Sequence, residues 1–398
     1  MKGSGIFLLT VAILISFLLF SGCSHNSQNP SASNTTIPGI PADIQNTTIP
    51  SDSRTGASGT LVPSDWVRGY NGTLMPPMAP VTAPPSDPVS VYKGVFMSLG
   101  MVFDSKYSMS NISALKKAGV NTVAIGTYVK VNSRGEAQLF TRSNINPNST
   151  SYYEFRLAEQ AKKYYENGIR LYLVPDIYYE PEFSGTIGEP MPIPPDIAQQ
   201  PGFLNNYTII VRNLSILAEK YHVEFFSPMN EPDRRLGTSL GSSWGQAVLP
   251  EIRKKYHGKV VYKAAYNSSL NGSVDFTGYD VIGFSTTPAK MGTQKKSLEI
   301  YKETLNQSIN DALERAQQDG VPEVFLSEIG VWASAQDFDR EGKVQAHRIA
   351  FEQGKGRVQG FFVADPITGE GQKNIIPLRE SEIFDEMSYW FNQGLMKK

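Results

Sequence analysis

From about residue 91 the chain alternates between short apolar runs of strand length and longer stretches with helical spacing. Strand candidates are residues 93–99, 121–129, 170–177, 223–229, 259–266, 281–285, 323–327 and 358–364. Helical stretches fall at 111–118, 152–167, 203–221, 244–257, 297–319, 340–353 and 381–391. In the third of these, Leu204, Ile209, Val211, Leu214, Leu217 and Ala218 make an apolar face near the helical period. Gly168, Gly320 and Gly354 follow helices as C-cap candidates. Strands in series, all but one pair separated by a helix, predict a parallel βα array. The exception joins the fifth and sixth strands, where 267–280 is short and Gly-rich. About three hundred residues suits a (β/α)8 barrel. An open doubly wound sheet is the rival, but Leu99-Gly100-Met101-Val102-Phe103-Asp104 stands where a Gly-rich phosphate turn would follow the first strand.

The 90 or so residues before this array read differently. Lys2 precedes an apolar run from Ile6 to Phe20, too short for a comfortable membrane span and typical of a signal-peptide core. Ser21 and Gly22 then precede Cys23, the only cysteine. This resembles a lipobox, with Phe20 where an aliphatic residue is more usual, and implies cleavage before Cys23 and lipid on its thiol. An uncleaved anchor helix is the alternative; both readings put the remainder outside the cytoplasm. Residues 23–90 are rich in Ser, Thr, Asn, Pro and Gly, a composition that cannot bury enough surface to offset its ordering entropy. They read as a flexible linker, with Trp66 and Tyr70 as a short stretch able to pack. The expected organisation is therefore a signal segment (1–22), a linker (23–90) and an α/β (β/α)8 domain (91–398).

The chain of 398 residues carries a net charge of −1, so no basic field points to nucleic acid. In a parallel barrel, functional groups gather at the carboxyl ends of the strands. The acidic, aromatic and amide side chains expected there are Tyr128, Asp176, Tyr178, Asn230, Glu231, Tyr266, Asn267, Glu328, Trp332 and Asp365, with Trp244 on a neighbouring loop. The four histidines, His25, His222, His257 and His347, fall in the amino-terminal segment and on helices or helix ends. They supply neither a Ser-His-Asp constellation nor a metal site. Two carboxylates facing each other across one cleft are the minimum equipment for cleaving a glycosidic bond. Glu231 and Glu328 close the fourth and seventh predicted strands.

Asn230-Glu231-Pro232 and Ser327-Glu328-Ile329-Gly330 at those two positions resemble the large clan of retaining (β/α)8 glycoside hydrolases that includes cellulases, mannanases and galactanases. The resemblance implies Glu231 as acid/base, Glu328 as nucleophile, Asn230 on the sugar 2-hydroxyl, and no metal or organic cofactor. It also implies a polysaccharide or oligosaccharide partner. The charge on Glu328 is expected to raise the pKa of Glu231 in the free enzyme. Tyr128, Asp176, Tyr178, Trp244, Tyr266, Asn267, Trp332 and Asp365 are expected to contact sugar. The chain is expected to act as a lipid-anchored extracellular monomer.

It departs from the clan pattern in three places. The sixth strand, Gly283-Phe284-Ser285-Thr286-Thr287-Pro288, lacks the Tyr or His that orients the nucleophile. The eighth ends in Ala364-Asp365 rather than an aromatic, and the second lacks an Arg near its end. These departures motivate a second reading, a non-catalytic glycan-binding protein on an eroded barrel. A third is transglycosylation by the same residues.

Overall fold

The computed structural model describes residues 67–68, 74–75, 88–97, 112–139, 150–179, 193–265, 270, 272–288, 291–330, 338–365 and 382–395. The chain divides into two units, Met1–Ser64 and Asp65–Lys398, and every described residue belongs to the second. It opens with a small antiparallel pair, β1 (Val67–Arg68) with β2 (Leu74–Met75), inside the stretch read as linker.

Eight parallel strands then close on themselves. They are β3 (Tyr92–Met97), β4 (Thr122–Val131), β6 (Arg170–Tyr179), β7 (Phe225–Phe226), β8 (Lys259–Ala264), β9 (Val281–Thr286), β10 (Glu323–Ile329) and β11 (Gly360–Asp365). β3 pairs with both β11 and β4, which completes the ring. A short antiparallel strand, β5 (Ala137–Leu139), extends β4 outward. The predicted (β/α)8 barrel is present, with each strand within a few residues of its expected span.

Helices cover the outside: α1 (Ile112–Lys117), α2 (Thr150–Tyr165), α3 (Pro195–Ala198), α4 (Pro201–Lys220), α5 (Pro232–Arg235), α6 (Thr238–Arg253), α7 (Gln294–Asp319), α8 (Arg340–Gly354) and α9 (Glu382–Tyr389). Their ends are chemically explained. Thr293 caps α7 by accepting from Lys296 N, and Gly320 ends it in the left-handed conformation. Asp339 caps α8 through Gly342 N. Gly354, expected as a C-cap, has another purpose. A Cβ there would meet Phe361 Cε1 at 2.6 Å, so its smallness seats α8 against β10 and β11.

Side-chain alternation sorts the strands into two surfaces. Tyr92, Phe96, Ala124, Tyr172, Val174, Phe225, Val261, Val281, Phe325 and Phe362 fill the barrel interior. Their neighbours, such as Val260, Tyr262, Ile282, Leu326 and Phe361, face the helices. The interior is packed rather than hollow. Tyr92, Phe225, Phe325 and Phe362 stack toward its amino end, where Lys259 pairs with Glu323 at 2.6 Å. That plug directs any cleft to the opposite, carboxyl end.

Candidate active site

β7 is brief because Pro228 interrupts its ladder, yet the chain stays pinned beyond it. Asn230 N donates to Pro175 O at 2.7 Å and Glu231 N to Lys263 O at 2.9 Å. Glu231 then takes φ 51°, ψ 58°, the left-handed region. For a residue with a Cβ this costs roughly 1–2 kcal/mol, and such strain collects at functional sites. Pro232 starts α5 immediately after, and the turn carries the Glu231 side chain into the mouth of the barrel, where it is 6% exposed.

Glu328 arrives by a different device. Phe325 faces inward and Leu326 outward, so strict alternation would turn position 328 toward the helices. The pairing with β9 slips between Leu326 and Glu328, and Glu328 lies opposite Ser285. The extra residue, Ser327, is a β-bulge of the kind that re-aims side chains beside active sites. Glu328 thereby stays on the inner surface, 6% exposed, and Ile329 returns to the helix side.

Between the two carboxyls stands a lysine that the sequence reading passed over. Lys263 shares the inward parity of Val261 on β8 and has no exposed surface. Its Nζ donates to Glu328 Oε2 at 2.5 Å, Asn230 Oδ1 at 2.5 Å and Ser285 Oγ at 3.1 Å. Ser285 also favours the ionised form of Glu231. Lys263 is thus bonded to one acid and, with Ser285, acts electrostatically on the other.

A second arm continues outward. Asn230 Nδ2 donates to Asp176 Oδ2 at 3.0 Å, and Arg235 Nη2 donates to Asp176 Oδ1 at 2.8 Å. Within this network two buried cations, Lys263 and Arg235, face three buried carboxylates, Asp176, Glu231 and Glu328. The half-exposed Arg234, 3.3 Å from Glu231 Oε2, adds a third cation at the rim. Uncompensated buried charge is costly, and here three cations stand against the three carboxylates.

The direction of the pKa shifts differs from expectation. Burial pushes Glu328 up, and the charges of Glu231 and Asp176 add to this against Lys263. Burial also pushes Glu231 up, but Lys263, Arg235, the Ser285 hydroxyl and Arg234 outweigh it and hold Glu231 below the usual range. The expected rise at Glu231 fails because three cations stand near it, none of which the strand-end reading had counted.

The other expected residues divide into groups. Tyr128 on β4 and Tyr178 on β6 share the inward parity of Ala124 and Val174 and are half-buried at the mouth. Asp176, expected to hold sugar hydroxyls, is buried, and its oxygens are engaged by Arg235, Asn230 and the Ile177 amide. Trp244, expected as a stacking platform, lies inside α6 and packs on Tyr207, with its Nε1 donating to Thr208. Both side chains are engaged by protein partners. Tyr266, Asn267, Trp332 and Cys23 lie outside the described residues, as does the side chain of Asp365.

No family model matches the sequence, and no curated protein matches it. Solved structures do match. A GH113 β-mannanase from Alicyclobacillus acidocaldarius superposes with a TM-score of 0.58 at 14% identity, covering 77% of this chain and 98% of that one. A second GH113 β-1,4-mannanase gives 0.56 at 14% identity over 77% and 99%. An endo-β-1,4-mannanase from Thermotoga petrophila gives 0.54 at 14% over 78% and 79%. The fold is shared. At this identity the likeness speaks to architecture, and the chemistry must be argued from the cluster itself.

Proposed function

We propose that this chain is a glycoside hydrolase that cleaves a β-linked glycan with retention of configuration. The observation that carries the reading is the pair of buried carboxyls, Glu231 and Glu328, at the barrel mouth with Lys263 acting on both. One carboxyl as nucleophile and one as acid/base are what a double displacement requires.

Glu328 attacks the anomeric carbon as the bond to the leaving oxygen breaks, and the proton on Glu231 passes to that oxygen. Water then attacks the glycosyl-enzyme, giving its proton to Glu231 and releasing Glu328. The first step needs the proton on Glu231, against the pull of its neighbouring cations. Positive charge developing at the anomeric carbon stabilises the Glu328 anion as that proton passes to the leaving oxygen. Asn230 is held with Oδ1 on Lys263 and Nδ2 on Asp176. Its remaining N–H is the donor for a sugar hydroxyl.

β-Mannans are the first substrates to try, because β-mannanases carry the same fold. Tyr128 and Tyr178 at the mouth are proposed sugar contacts; Tyr266, Asn267, Trp332 and Asp365 are proposed from their sequence positions alone. The segment from Ile6 to Cys23 supports an exported protein anchored at the cell surface by lipid.

The test is reducing-sugar release from β-mannan, β-galactan and β-glucan by the wild type, Glu231→Gln and Glu328→Gln. Hydrolysis by the wild type with loss in both variants is expected. A variant retaining the wild-type rate overturns the assignment. Glycan binding without turnover by the wild type favours the non-catalytic reading.

A further inference from the structure

The sixth strand of this barrel offers Glu328 no tyrosine, only Ser285. Glu328's charged partner comes from the fifth strand instead. The Lys263 ammonium has three donors, and all three are engaged, by Glu328, Asn230 and Ser285. The Phe96 ring lies 4.8 Å beneath it.

We propose that Lys263 is the positioning residue of the site, a single buried counter-ion that serves Glu328 before glycosyl transfer and Glu231 after it. The inference rests on the hydrolase reading for its kinetic consequence, but its electrostatic content stands separately.

Before attack, the short contact aims Oε2 of Glu328 and leaves its other oxygen to reach the anomeric carbon. Once the Glu328–sugar bond has formed, that carboxyl is a neutral ester, and the Lys263 charge loses its nearest anion. It still acts on Glu231, for which it is the leading cationic influence. The unbalanced cation then favours the Glu231 carboxylate, which is the form that takes a proton from the incoming water. One lysine thus alternates its support between the two acids as the reaction alternates their charge.

Both carboxyls already feel Lys263, which pulls each of them down against burial. The other groups facing the cluster are Asp176 and Tyr172 from β6, Arg234 and Arg235 from α5, and Ser285 from β9. Among these groups Lys263 alone is a cation that acts on both glutamates, by contact with Glu328 and through space on Glu231.

The experiment is carboxyl-carbon NMR titration of the full chain labelled at glutamate Cδ, with Glu231→Gln and Glu328→Gln assigning the signals. Lys263→Met, which keeps the stem and removes the charge, is compared with wild type. Both carboxyls should titrate higher in the variant by about one unit or more, as expected for losing a cation at hydrogen-bond range. Unmoved titrations overturn the proposal whether or not the chain hydrolyses any glycan.

With an active substrate, Lys263→Met should lower kcat at least tenfold with KM nearly unchanged, and move the alkaline limb of the pH profile upward. A loss in kcat and KM together, with both limbs fixed, would mean a structural role only. If Lys263→Met does not fold, Lys263→Ala is titrated with and without ethylammonium. Restoration of the wild-type titrations by the cation supports the proposal, and failure to restore them contradicts it.

Discussion

Lys263 Nζ and Glu328 Oε2 meet at 2.5 Å inside the barrel, with side chains 0% and 8% exposed. A pair this buried has offset the desolvation of each partner by the other, so removing either leaves a stranded charge, at about 3–5 kcal/mol. Glu328→Leu should destabilise the fold by that amount in urea unfolding. Lys263→Met combined with Glu328→Leu should recover most of the loss, because no charge is then stranded. Additive losses would mean that the two side chains do not interact.

Asp176 is predicted to act on stability more than on substrate affinity. Its carboxylate neutralises Arg235, whose side chain has no exposed surface. Asp176→Asn should lower unfolding free energy by about 3–5 kcal/mol, with KM changed less than kcat as Asn230 loosens. A large rise in KM with unchanged stability would restore the sugar-binding role.

Trp244 gives a comparable contrast. It fills space between α4 and α6 beside Tyr207, so Trp244→Ala should cost about 3–5 kcal/mol by thermal or urea unfolding. Glycan affinity, followed by electrophoresis through substrate-containing gels, should remain that of the wild type in whatever fraction stays folded.

His347 introduces a pH dependence remote from the site. It is buried in α8, and burial holds its pKa below the ordinary histidine value, against the Lys343 carbonyl and Glu386. The unfolded chain therefore binds a proton that the folded chain does not, over the window extending downward from the ordinary histidine value of 6.5. Stability from this group is present above that value and is lost as pH falls through the window. Melting temperature should drop from pH 7 to pH 5, and His347→Leu should flatten that slope. An unchanged slope would rule out His347 as its source.

The strands and the two glutamates were legible because parallel barrels write themselves as regular apolar runs, and Glu231 and Glu328 stand where such runs end. What escaped was set by parity and packing. Lys263 sits two residues beyond Val261 in a strand covered on both faces, so its charge had to be buried and paired. That inference was open to sequence reasoning once the barrel was assigned. The bulge at Ser327 was not, because alternation alone sends Glu328 to the wrong side. Nor was the engagement of Asp176 by Arg235, since the partner lies 59 positions away and joins it only when α5 folds back over β6. Trp244 was misjudged through a boundary: α6 begins at Thr238, so a position read as loop lies well inside a helix.

The central claim is that Glu328 forms a covalent bond to the sugar while Glu231 handles the proton. The most direct test is to incubate the protein with a 2-deoxy-2-fluoro glycoside of its substrate sugar bearing a dinitrophenolate leaving group, and to map the adduct by peptide mass spectrometry. The account predicts one fluoroglycosyl group on Glu328, formed by wild type and absent in Glu328→Gln. Label on any other residue, or steady turnover of an ordinary β-glycoside with release of the α-anomer first, would contradict it.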